Sequence, residues 1–358
     1  MYLLVLLVVL GVVYAYCWWK PRSPPTYPGQ LPLIGHSYIL FKHRNGTSLR
    51  LEAKDQDLID NEYAKAIEEI ETILVRRLLN PILHFSFLFD RTAMYKRQLK
   101  LSQNNKKLLD PIIQKRKSDL IATRRTVNDN DDSVPGKFKP ALDLLLNLPD
   151  EKYVLSDEEI MAHLNTFVAA SFDTTSAVIQ NVLLVLGSHP EIQERVYNEI
   201  QDVLKNRDRL TKHDMTKLVY LDAVIKEVLR VYNIVPLIAR KIDTDIVLPK
   251  YTLRAGSSCI MSIYGLHRHS SWGPDAKQFK PERWLNPATL PTNPNVYAAF
   301  GIGKRMCIGK QYSMMSMKTS LVHILRKFRV SADMSNLKWE FEITLKVKNP
   351  FINLTLRS

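Results

Sequence analysis

Ten residues, Phe300-Gly301-Ile302-Gly303-Lys304-Arg305-Met306-Cys307-Ile308-Gly309, carry the sharpest chemistry in the chain. A cysteine acts as nucleophile or metal ligand only as the thiolate, which nearby cations and free N–H groups at a helix start favour. Lys304 and Arg305 precede Cys307, and a helical pattern runs from Lys310 to Lys327 behind it. The arrangement predicts a lowered thiol pKa. Gly303 and Gly309 permit a tight loop and let a flat group approach the main chain. Arg305 can pair with a carboxylate, and Phe300 can screen the sulfur from water. A buried structural cysteine is the bland alternative, but five meaningful positions in ten residues weigh against it. A cysteine hydrolase would need a histidine partner; His267 and His269 are available, without a nucleophile context around them.

Two further clusters stand out. Ala169-Ala170-Ser171-Phe172-Asp173-Thr174-Thr175 puts polar side chains midway along an otherwise apolar helical run, which invites hydroxyl bonds back to the preceding turn. Glu227-Val228-Leu229-Arg230 sets an acid and a base three apart on a helix whose apolar stripe is Leu221, Val224, Ile225, Val228 and Tyr232. Spacing alone makes that pair a solvent-exposed one.

The loop at 300–309 matches, without a mismatch, the F-x-x-G-x-R-x-C-x-G haem-binding signature, and the chain resembles the cytochrome P-450 superfamily. Stretch 169–175 is similar to that family's oxygen-binding motif, and Glu227 with Arg230 to its E-x-x-R, completed by Arg283 in Phe279-Lys280-Pro281-Glu282-Arg283-Trp284. The segment from Asp157 to Arg240 resembles the microsomal branch of insect and fatty-acid-type enzymes. The resemblance implies a mainly α fold with small β-sheets and a haem b whose iron has Cys307 as its axial ligand. Phe300, Gly303, Arg305 and Gly309 would surround that ligand, and Arg240 would reach a propionate. Asp173 and Thr174 would relay protons, while Glu227, Arg230 and Arg283 would form a buried structural network. The activity implied is insertion of one atom of O2 into a hydrophobic small molecule, with electrons from an NADPH-dependent flavoprotein reductase. Ser171 stands where the family usually has glycine, and Ser313 where it prefers a small apolar residue. Ala170 stands where a glutamate esterifies haem in the branch that hydroxylates fatty-acid termini, so no covalent ester is expected.

These side chains need elements to hold them. Ser156 and Glu159 form a capping box, Leu155 can staple against Ile160, and no breaker follows until Gly187; a helix of about 30 residues is predicted. Pro190 opens the next helix, another covers Tyr220 to Val231, and short strands lie between Arg240 and Tyr264 with Gly256 at a turn. The stretch from Asn61 to Lys117 reads as amphipathic helix, and most of the basic stretch, Lys96 to Arg125, as a solvated face. Apolar groups facing the haem are expected from Phe167, Ala170, Phe172, Val235 to Ile238, and the C-terminal hairpin near Phe351.

Residues 2–19 carry no charge and reach the length of a membrane span. With Lys20 and Arg22 next, they predict an N-terminal anchor at residues 1–19 with the rest of the chain facing the cytoplasm; the resemblance implies the endoplasmic reticulum membrane. A Pro-rich linker follows at 20–35, and the haem-thiolate domain occupies 36–358. That domain is expected to be incomplete: the family's N-terminal sheet and several helices, one carrying W-x-x-x-R, have no counterpart, and a deletion join is expected within 36–51. The second reading is therefore a catalytically inactive, membrane-tethered remnant that does not hold haem stably. A net charge of +14 suits an acidic protein partner or an anionic surface. Nucleic acid is not expected, because no basic motif carries aromatic platforms. Cys17, Cys259 and Cys307 lie too far apart in sequence to suggest a disulfide framework.

Overall fold

A computed structural model describes residues 64–126, 141–146 and 155–357, except 206, 208, 209, 342 and 349. The expected anchor, linker and join all fall within residues 1–63, outside the described residues. Six helices carry the architecture: α1 (Ala64–Leu79), α2 (Ala93–Thr126), α3 (Asp157–Ser188), α4 (Pro190–Leu204), α5 (Val219–Val231) and α6 (Lys310–Lys327). Among the described residues, four antiparallel two-stranded ladders flank them. Those that matter for the site are β1 (Leu237–Lys241) with β2 (Ser258–Ser262), β3 (Phe328–Ala332) with β6 (Ile352–Leu356), and β4 (Lys338–Phe341) with β5 (Leu345–Lys348).

The central element is α3, and its start is built as the sequence predicts. The Ser156 hydroxyl accepts the Glu159 N–H at 3.2 Å, and the Glu159 carboxylate accepts the Ser156 N–H at 2.9 Å, so two donors without intrahelical partners are satisfied at once. Leu155 and Ile160 join one apolar cluster. The helix then runs 32 residues, about 48 Å at the α-helical rise. Its first half packs on α2 through Leu109, Ile113, Ile160 and Leu164. Its second half packs on α4, α5 and α6 through Val182, Leu186, Val196, Val224, Val228 and Leu321. Among the described residues, α3 is the one helix long and apolar enough to cross a membrane; packing on both halves accounts for that composition.

Most of the basic stretch of α2 is the solvated face expected, with Lys96, Lys100, Lys106, Lys107 and Lys115 exposed; part of it also reaches acids. Arg116 pairs with Asp143 at 2.5 Å with only 14% of its side chain exposed, Lys117 pairs with Asp157, and Lys106 approaches Glu158 at 3.8 Å. These cations meet the acidic first turn of α3 and the short helix Ala141–Leu146, where the carboxylates, themselves favoured by the positive end of the helix dipole, draw them in. Part of the basic face is therefore a tie between helices.

Candidate active site

The loop before α6 bends by backbone conformations that only glycine adopts readily. Gly301 has φ +69° and Gly303 has φ +76°, both in the left-handed region where a Cβ is penalised. Gly309, expected to share this role, instead has φ −79° at the N-cap of α6, a conformation open to any residue. The turn closes with the Cys307 N–H donating to the Phe300 carbonyl at 2.7 Å. Cys307 thus sits two residues ahead of the N-cap, and the Gly309 N–H reaches its sulfur. The expected drop in thiol pKa is not what the site produces. Burial pushes the Cys307 thiol up, and the Gly309 N–H and the Lys310 charge only oppose that rise. Cys307 is exposed and lines the cavity, yet desolvation around its sulfur disfavours the thiolate.

Cys307 opens onto a cavity of about 280 Å³ between α3, the segment before β1, and the 300–309 loop. Phe300, Gly301, Arg305, Ile308 and Gly309 line it beside the cysteine, and Gly303 does not. Phe167, Ala170, Val235 and Ile238 line it as expected. Phe351 does not: it lies on the β6 side and is 73% exposed. The side chain of Phe172 lies outside what is described. Tyr312, Met317, Val178 and Ala298 also line the cavity and carry no local sequence signal, because each reads as an ordinary core or helix residue.

Arg240 and Arg305 both reach this cavity. Arg240 donates to the carbonyls of Ala239 at 2.8 Å and Arg305 at 3.4 Å. Among the described residues neither guanidinium pairs with a carboxylate. A haem is an apolar disc with two carboxylates and an iron that needs an axial ligand. One thiol, two guanidinium groups without described acid partners and mostly apolar walls suit such a group, so the residues present fit it.

Thr174 faces the cavity, and its hydroxyl donates back to the Ala170 carbonyl at 2.7 Å. Ser171 and Ser176 make the same kind of bond at 3.1 Å to Val168 and Asp173. Asp173 points elsewhere. It is buried, accepts the Thr344 hydroxyl at 2.7 Å and meets the Lys346 ammonium at 2.5 Å.

Glu227 and Arg230 are fully buried and Arg283 nearly so, which corrects the exposed pair that spacing alone predicts. Glu227 accepts from both Arg230 nitrogens at 2.8 and 2.9 Å, from Arg283 at 2.9 Å, from the Lys280 N–H at 3.0 Å and from the Trp284 indole at 2.9 Å. Burial alone would raise its carboxyl pKa; the Arg230 bond and charge, with Lys280 and Arg283, outweigh that and hold it below the ordinary range. Nearby, His267 is fully buried, receives the Ala298 N–H on Nε2 at 3.0 Å and contacts Asn233 through Nδ1 at 3.2 Å. Burial, with the Arg230 charge, lowers its pKa to about 4. Both ring nitrogens being taken, His267 does not serve as base to a cysteine nucleophile.

The model of the Cytochrome P-450 family matches residues 38–354. This chain belongs to the cytochrome P-450 family. It is 32% identical over 293 residues to cytochrome P-450 4c21 of Blattella germanica, covering 81% of this chain and 58% of that one. To human cytochrome P-450 4V2 it is 33% identical over 320 residues, covering 87% of this chain and 60% of that one. Both relatives are P-450s of the 4 type, which supports that branch. The chain spans about 60% of the length of these relatives. The crystal structure of a cytochrome P-450, CYP102L1, superposes with TM-score 0.63 at 27% identity, over 76% of this chain and 60% of that one. The cytochrome P-450DA haem domain does so with TM-score 0.68 at 24% identity, over 83% and 61%, a likeness of fold. The mainly α P-450 fold with small sheets is thus the fold of this chain. The inactive-remnant reading gains no support from these comparisons.

Proposed function

We propose that the chain forms a haem-thiolate monooxygenase that inserts one atom of O2 into a hydrophobic small molecule, taking electrons from an NADPH-dependent flavoprotein reductase. The observation that carries this reading is that Cys307, Arg240 and Arg305 share one cavity whose other walls are mostly apolar. When bound, haem b supplies oxygen activation at an iron held by the Cys307 thiolate. Ala170 offers no carboxylate, so the group is held without an ester. Arg240 and Arg305 orient it through its propionates. Phe300 and the folded-back loop keep water from the sulfur, while Phe167, Ala170 and Ile238 orient an apolar substrate. Thr174 holds a proton donor at the cavity wall and Asp173 supplies it. Glu227, Arg230 and Arg283 act structurally, fixing α5 to the 280–284 segment that leads toward the loop.

The uncharged run at residues 2–19 and the basic residues behind it support an anchor at 1–19, a linker at 20–35 and a catalytic domain at 36–358 facing the cytoplasm from the endoplasmic reticulum membrane. The net charge of +14 supports an acidic reductase steered by electrostatics. The test is turnover with reductase, NADPH and a panel of hydrophobic substrates under heavy-isotope O2. One labelled oxygen atom in the product supports the reading, and label absent from every product in haem-loaded protein contradicts it.

A further inference from the structure

His267, which does not serve a cysteine as base, sits where two walls of the cavity meet. It follows β2 and the short helix Ile263–Leu266 and is fully buried. Its carbonyl accepts the Arg230 guanidinium at 2.8 Å, which fixes the residue to the last turn of α5. The Ala298 N–H donates to its Nε2 at 3.0 Å, so the ring proton of the neutral imidazole is on Nδ1. Around Nδ1 lie the Asn233 amide at 3.2 Å and the main chain of Leu229 and Arg230. Asn233 in turn accepts the Val235 N–H at 2.7 Å, and Tyr297 stacks on the imidazole with ring centroids 5.4 Å apart. The segments tied in this way are both cavity walls, with Val235 and Arg240 on one side and Ala298 and Phe300 on the other. The Phe300 carbonyl then accepts the Cys307 N–H at 2.7 Å. One imidazole therefore stands between the strand that carries Arg240 and the loop that carries Cys307.

We propose that His267 is a positioning residue for the haem: its Nε2 anchors the chain entering the Cys307 loop to the end of α5, and so sets the loop against the strand that carries Arg240. The inference rests on the haem-thiolate reading of the cavity. His267 is not among the residues lining that cavity, so it acts through the loop and not by contact. A propionate paired with Arg240 and an iron bound by Cys307 belong to one stiff macrocycle, and both partners must be in place together to hold it. A side chain that fills the space of His267 without accepting from Ala298 leaves that buried N–H unsatisfied and the loop free to shift.

Three variants of the full chain separate the acceptor from the bulk of the ring. His267→Phe keeps a flat ring for Tyr297, His267→Asn keeps a polar group at the Nδ1 position, and His267→Gln alone keeps an acceptor long enough to reach Ala298. The first measurement needs no haem. Hydrogen exchange of the Ala298 amide should be about tenfold faster in His267→Phe and His267→Asn, the worth of one hydrogen bond, and near the parent rate in His267→Gln. Exchange unchanged in the first two overturns the anchor. The second measurement follows transfer of haem from the loaded chain to a scavenger protein. His267→Phe and His267→Asn should release it about tenfold faster, with retention restored in His267→Gln. Val196→Ala, which thins the core on α4 outside the cavity, should release haem at the parent rate. Loss as fast in Val196→Ala as in His267→Phe would make the effect one of general stability and overturn positioning, as would a failure of His267→Gln to restore retention. If the parent holds haem with a thiolate-type spectrum and all three variants hold it equally well, the positioning role falls while the haem-thiolate reading stands. If the parent takes up no haem, that reading fails and takes this proposal with it.

Discussion

Arg240 and Arg305 lie 65 positions apart, yet the Arg240 guanidinium donates to the Arg305 carbonyl oxygen at 3.4 Å. Strand β1 and the Cys307 loop therefore meet at one edge of the cavity with two cations that no described carboxylate neutralises. If they hold the propionates, Arg240→Ala and Arg305→Ala should each speed haem loss to a scavenger protein about tenfold, the worth of one charge-assisted hydrogen bond. A lysine at either position should restore the loss only in part, because an ammonium lacks the planar fork. Haem loss unchanged in both alanine variants would remove them from the site.

Glu227 is the one acid between two buried arginines. Glu227→Gln leaves the fully buried Arg230 guanidinium without a counter-charge and Arg283 with Asp275 alone, which costs about 3–5 kcal/mol. Urea unfolding should show this loss. Arg195→Gln, which breaks an exposed pair with Glu282, should cost less than about 1 kcal/mol. Equal costs for the two variants would mean the buried network does not hold the fold.

His267 is buried neutral, its pKa lowered from 6.5 to about 4. Between those values the unfolded chain takes up a proton that the folded chain refuses. The stability this residue contributes is present above pH 6.5 and is lost as pH falls toward 4, by about 3 kcal/mol in all. Unfolding followed from pH 7 to pH 4 should therefore be steeper in the parent than in His267→Gln. Identical pH dependence in the two would show that His267 is free to protonate in the folded chain.

What the sequence made legible was local. The start of α3 could be read because Ser156 and Glu159 complete a capping box within four residues, and the Cys307 loop because its residue types sit at fixed short spacing. Glu227 and Arg230 were misread by spacing because their burial is decided by Lys280, Arg283 and Trp284, more than fifty positions away. Asp173 was legible as a cavity-helix acid, but its partners in the 338–348 hairpin were not, since pairing over 171 positions leaves no periodic trace. Cations and a helix start visible in the sequence predict a lowered pKa for the Cys307 thiol; the desolvation that raises it is set only by the folded loop.

The central claim is that Cys307 alone supplies the protein ligand to a haem iron, and a carbon monoxide difference spectrum of the reduced full chain tests it most directly. Cys259 is the built-in control, since it lies on β2 opposite Arg240 and is not among the residues lining the cavity. A thiolate-type spectrum is expected in the parent and in Cys259→Ala, and its loss in Cys307→Ala. A thiolate spectrum that survives Cys307→Ala, or disappears in Cys259→Ala, would contradict it.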